Sequence, residues 1–195
     1  MDMTLVNDAA RAAHLLGLAL GFGVAILADF SAARSLIRPL DTREIDSLER
    51  YHRMVSFGLA LFWASGLVLL YLRTGFQVEN FSPKLMAKLG VVAFLTINAV
   101  LIGRIGLSTL RKWQGCRFGA IPLAERLRVA ALAGISGAGW ISALALGVFS
   151  TLKTMPWEVL SEMIGIIYML GLGGALLTAL AAPILMFALD RRRVY

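Results

Sequence analysis

The sequence predicts an all-α integral membrane bundle of five transmembrane helices, with its N-terminus outside and its C-terminus in the cytoplasm. Three observations carry that prediction. Of 195 residues, 58% are hydrophobic and only 16% are charged, against roughly 25% charged in soluble domains. Five apolar runs reach the length of about 20 residues that crosses a hydrocarbon core about 30 Å thick at a rise of about 1.5 Å per residue. Basic residues gather in alternate connections, as the positive-inside rule requires.

The five spans fall at about residues 12–33, 55–72, 85–107, 129–152 and 163–189, within one bundle domain over residues 1–195, because no linker rich in Pro, Gly or Ser divides the chain. The first run is too long for a cleaved signal peptide and is preceded by Asp2 and Asp8 rather than a basic segment, so it reads as a true span. After it, "LDTREIDSLERYHRM" places Asp41 and Glu44 at capping-box spacing, followed by Ile45, Leu48 and His52 at helical intervals. A cytoplasmic helix that runs on into span two is expected. Ser82 and Pro83 form an N-cap and first helical position for span three. Pro156 and the interfacial Trp157 repeat that device before span five, which Pro183 is expected to kink near its far end.

Charge fixes the orientation. Arg34, Arg38, Arg43, Arg50 and Arg53 lie between spans one and two, Arg111, Lys112, Arg117, Arg126 and Arg128 between spans three and four, and Arg191, Arg192 and Arg193 in the tail. These segments share one side only if there are five spans and the tail is cytoplasmic. The formal charge of +7 therefore speaks for a bacterial-type inner membrane and its lipid, not for nucleic acid. Cys116 is the only cysteine, which excludes an intrachain disulfide and a cysteine-ligated iron–sulfur cluster.

The residue that raises a functional question is His14, at the mouth of "RAAHLLGLALGFGVAILADF". Helical spacing from it leads to Gly17, Gly21 and Ala25, a stripe nearly without side chains. Such a stripe admits a neighbouring helix closely or leaves a flat slot for a planar ligand. An imidazole within a span needs a hydrogen-bond partner or a metal. On this topology its partners come from the outer ends of the other spans, where Arg11, Lys84, Lys88 and Lys153 gather. His52 starts span two from the cytoplasmic side, a full membrane thickness from His14, or about 30 Å. That separation rules out a haem bridging the two histidines. A haem would take His14 on its iron, lie on the Gly17 and Gly21 stripe, and reach the cations with its propionates, with Met163 or Lys88 at the other axial position. Nearer the cytoplasm, Asp29 and Arg104 are placed to pair as a clamp or to serve a proton path, with Asn98 a further polar group in span three.

The stretches "HLLGLALGF", "RMVSFGLALFWASGLVLL" and "FSPKLMAKLGVVAFL" resemble the first three spans of HemJ-type protoporphyrinogen oxidases and the related CopD-like copper-resistance membrane domains, over roughly residues 10 to 110. The resemblance implies a haem b held by a histidine early in span one and a lysine at the start of span three, which by position are His14 and Lys88. The chain departs from that family in having five spans rather than four, and in lacking the tryptophan and arginine farther along span one. Its eight methionines form no Met-x-x-Met or His-rich cluster on the outer side, so copper, which as Cu(I) needs grouped soft ligands, ranks second. The function expected is that of a haem-dependent redox protein in electron transfer or porphyrin oxidation, with quinone or another membrane protein as electron partner. The alternative is a cofactor-free accessory or assembly subunit of a larger membrane complex.

Overall fold

The computed structural model describes residues 2–191, so Arg192 and Arg193 of the basic tail lie outside the described residues. The described elements are helical throughout. Helix α1 covers Met3–Ala33, α2 Thr42–Thr74, α3 Pro83–Leu101, α4 Leu107–Lys112, α5 Leu123–Val148 and α6 Trp157–Arg191. A π-helical turn, Ile102–Gly106, joins α3 to α4, so that Pro83–Lys112 is one continuous rod. Five helices are thus long and apolar enough to cross a membrane. Helix α1 has 31 residues and α6 has 35. With a rise of about 1.5 Å per residue they extend about 46 Å and about 52 Å, longer than a hydrocarbon core of about 30 Å.

Local chemistry sets the ends. Asp41 accepts a hydrogen bond from the Glu44 amide at 2.8 Å, and Glu44 accepts one from the Asp41 amide at 3.1 Å. The two bonds close the capping box that starts α2 well ahead of its apolar stretch. Ser82 caps α3 through the Leu85 amide, with Pro83 at the first position. Asp2 caps α1, and its hydrogen bonds from the Thr4 hydroxyl and amide hold the carboxyl below the usual range. The fourth long helix starts earlier and stops sooner than the 129–152 expected. It ends at Val148 because Phe149 is extended and Ser150–Lys153 tightens into a 3₁₀ turn.

The helices pack as two close pairs, α1 with α2 and α5 with α6, with α3 laid mainly against α5. In the first pair the backbones nearly touch. A Cβ built on Gly17 would stand 2.7 Å from the Phe62 nitrogen, and one on Gly58 would stand 2.7 Å from the Gly21 nitrogen. Those pairings run antiparallel, in a register that sets His14 opposite Ser65. Gly134 and Gly171 play the same part between α5 and α6. The central core is Val24, Val55, Leu59, Phe62, Leu95 and Trp140. Outside it, large apolar side chains such as Leu27, Phe57, Phe94, Leu170 and Ile184 stay exposed.

The two ends of the bundle differ in charge. At the end formed by the α1–α2 and α4–α5 connections, Arg38 binds Glu44, Arg111 reaches both Asp46 and Glu49 at 2.8 Å, Lys112 binds Glu125 and Arg117 binds Asp190. Every ion pair among the described residues lies at this end. The expected Asp29–Arg104 clamp is not formed: both side chains are exposed on their helices and no ion pair joins them.

The close α1–α2 approach gives a stability prediction. Gly17→Ala, whose methyl group would press on α2 backbone, is expected to cost about 1–3 kcal/mol. Gly23→Ala, at an open position of the same helix, is expected to be neutral or slightly stabilising. Thermal unfolding of the purified variants in detergent checks the contrast, and equal midpoints would refute it.

Candidate functional site

The other end of the bundle holds the N-terminus of α1, the C-terminal turns of α2 and α5 and the first turns of α3. Between these helices lies a cavity of about 800 Å³, within the range of about 300–1,000 Å³ usual for small-molecule sites. Its deeper wall is apolar, with Leu18, Phe62, Trp63, Leu89, Val92 and Ala143. Its polar lining is Asn7, Arg11, His14, Arg73 and Lys88.

His14 is held by three contacts from α2. Its Nδ1 lies 3.1 Å from the Phe62 carbonyl oxygen and 3.2 Å from Ser65 Oγ. Its ring stacks on the Phe62 ring with centroids 3.9 Å apart and planes 20° from parallel. Gly66 leaves the space beside Cε1: a Cβ there would come within 3.2 Å of it. The Phe62 carbonyl can only accept, and the Ser65 hydroxyl donates to the Leu61 carbonyl at 2.7 Å. Nδ1 must therefore carry the proton in the neutral ring, which leaves Nε2 with its lone pair free. A histidine whose Nδ1–H is tied to a backbone carbonyl is the arrangement that orients metal-ligating imidazoles.

Of the residues expected at the site, Arg11, His14 and Lys88 line this one cavity. Four others are corrected. Gly17 is filled by α2 backbone, and Gly21 by the Trp140 ring and the Gly58 contact, so no macrocycle can lie on that stripe; it packs helices. Lys84 is buried and donates from Nζ to the Phe149 carbonyl at 2.6 Å, capping the C-terminus of α5. Met163 packs beside Ala87, Val91, Leu146 and Leu160, in the core between α3, α5 and α6, away from the cavity. His52 lies at the far end against Gly103 of the π-helical turn, separate from His14.

Four residues that matter here lie outside the expected site: Phe62, Ser65, Gly66 and Arg73. Arg73 carried a signal, since it is a lone cation closing an apolar span. The other three carried none beyond the small-residue pair Ser65–Gly66. Comparison with family models, with curated proteins and with solved structures gives no match.

The geometry at His14 predicts its tautomer. In protein labelled with ¹⁵N-histidine, with His52→Gln used for assignment, Nδ1 of His14 should show a pyrrole-type shift and Nε2 a pyridine-type shift. Ser65→Ala should leave that tautomer in place, because the Phe62 carbonyl still accepts. A pyrrole-type Nε2 would overturn the arrangement.

Proposed function

We propose that the chain is a multi-pass inner-membrane protein that binds one b-type haem through His14 and acts in electron transfer or in HemJ-like oxidation of a porphyrinogen. The observation that carries the reading is the His14 imidazole, fixed from behind at Nδ1 and lining a large amphipathic cavity. The exposed apolar belt suits lipid as solvent, and the ion-paired, arginine-rich end suits the cytoplasmic side, which supports an orientation with the His14 cavity toward the outer face.

The residues present fit haem b. One nitrogen ligand suffices for it, whereas an ion held by protein side chains alone needs several. Among the described residues no group of three or more His, Cys, Asp and Glu side chains gathers, and of the sulfur ligands that Cu(I) prefers Met3 alone lines the cavity with His14. When bound, haem supplies reversible one-electron chemistry at its iron. The chain's part is to position and to shield. Phe62 and Ser65 set the plane and tautomer of His14, Trp63 is locked by a hydrogen bond to Thr96 at 2.9 Å, and Leu18, Leu89 and Val92 keep water from the deeper wall. Lys88, from α3, lines the same cavity and would help to hold the haem, a role that the resemblance of residues 10–110 to HemJ-type proteins also suggests. Electrons from a porphyrinogen or a partner protein would pass onward to a quinone.

A second reading, a cofactor-free accessory subunit, is favoured by α6, which leaves Met169, Leu170, Leu177 and Ile184 exposed along one side. A visible spectrum of protein purified from haem-replete cells separates the two. A Soret band that disappears in His14→Ala and persists in His52→Ala is expected. Colourless protein would favour the accessory role, and metal analysis of the same sample tests for copper.

A further inference from the structure

We infer that Arg11 and Arg73 form a clamp from two helices for two carboxylates on one edge of the ligand, so that the cavity selects a dicarboxylate tetrapyrrole and fixes which edge faces the end of the bundle. The inference rests on the haem reading of the same cavity and goes beyond it in naming what the ligand must carry and which residues read it.

The cavity is amphipathic along its length. On α1 it runs from Met3 to Leu18, about 22 Å at helical rise. Below His14 the wall is Leu18, Phe62, Trp63 and Val92. Above it stand the cations. Arg11 precedes His14 by one helical turn, and Arg73 lies two turns beyond Gly66, which abuts the His14 ring. Two turns of helix span about 10 Å. The two guanidinium groups thus come from α1 and α2, on the same side of the imidazole.

Among the described residues neither arginine has a protein partner. Every ion pair there is at the other end of the molecule, and neither side chain makes a hydrogen bond within the protein. Lys84, the other obvious candidate, is already occupied by the Phe149 carbonyl. Arginine matches a carboxylate with two parallel N–H donors, a geometry that a lysine cannot reproduce. A tetrapyrrole with carboxylates on every edge would instead press some of them against Phe62, Leu89 and Val92, where an unpaired charge is strongly disfavoured. The position of the charges relative to the apolar wall therefore favours acids along one edge of the ligand. An anionic lipid headgroup could meet the same arginines, and the test must tell the two apart.

The test is an absorbance titration of the full-length purified protein, cleared of haem, in neutral detergent. The probes are haem, haem dimethyl ester and the tetracarboxylate iron coproporphyrin. Each lost charge-assisted contact should weaken binding by about tenfold to a hundredfold. Wild-type protein should therefore prefer haem to both other probes. Arg73→Gln and Arg11→Gln should each weaken haem binding while leaving the dimethyl ester nearly unchanged, and Arg73→Lys should restore only part of the loss. The wild-type comparison of probes needs no variant, so it stands even if a variant folds poorly. Equal affinity of wild type for haem and its dimethyl ester would overturn the clamp while leaving the haem reading intact, since the arginines would then read no ligand carboxylate. Absence of any Soret shift with all three probes would overturn both.

Discussion

The contact on which the rest depends is the approach of α1 and α2 through Gly17, Gly21 and Gly58. With no hydrophobic drive between helices in lipid, close van der Waals packing through small residues is what joins them. Here it also sets chemistry. The same antiparallel register that seats Gly17 on the Phe62 backbone carries His14, one turn earlier, to the Phe62 carbonyl and Ser65. A bulkier residue at Gly17 or Gly58 would part the helices and take the imidazole out of reach of its acceptors. The glycine stripe thus serves His14 by holding a helix, while the open space for a ligand lies on the other side, toward Arg73 and Lys88.

The second constraint is the uneven distribution of charge. At the arginine-rich end the charges are used to lock connections: Arg111 ties α4 to α2, Arg117 ties the 113–122 connection to α6, and Arg126 donates to the Gly119 and Ile121 carbonyls at 2.9 Å. These bonds hold the chain between α4 and α5 against the bundle, together with the Gly115 amide on the Leu40 carbonyl. At the His14 end only Lys84 is used in this way among the described residues, and Arg11, Arg73 and Lys88 are left without a protein anion. The structural work at that end falls to Lys84 and to the packing of Leu146, Leu152 and Leu160.

Much of this was legible from sequence where one residue type has one physical meaning. Apolar runs of spanning length, the Asp41–Glu44 box and the Ser82–Pro83 start of α3 all became the elements they signalled. Alternation of charged and apolar segments also put His14 and His52 at opposite ends, as found. Ambiguity entered where one pattern serves two uses. Gly17 and Gly21 have the same spacing whether they face a helix or a ligand, and only the partner's backbone decides. Lys84 and Lys88 are one helical turn apart, yet one caps α5 and the other lines the cavity; that depends on where α5 ends, and Phe149 ends it a full turn short of the expected limit. Met163 was assigned by its height along the membrane, which says nothing of the side of α6 it occupies. Phe62, Ser65 and Gly66 escaped notice because a carbonyl acceptor leaves no trace in a sequence.

The unpaired cations also bear on what the proposed ligand must carry. Two unit charges about 10 Å apart repel by about 1–2 kcal/mol at an effective dielectric of about 20, and more as water is excluded. Cations at a membrane edge favour an outward turn to headgroups, and the Arg11 and Arg73 side chains are exposed while Lys88 is half-buried. Arg11 shares a helix face with His14 and Asn7, and Arg73 one with Gly66 and Leu70, so both also line the cavity. A ligand that brings two anions to this level removes the repulsion, and its apolar body covers the wall below. The imidazole then needs no charge of its own, because its proton sits on Nδ1 facing the Phe62 carbonyl and its lone pair remains for a metal. On the proposed haem reading, these three features would meet one molecule with a bound metal, an apolar body and acids along one edge.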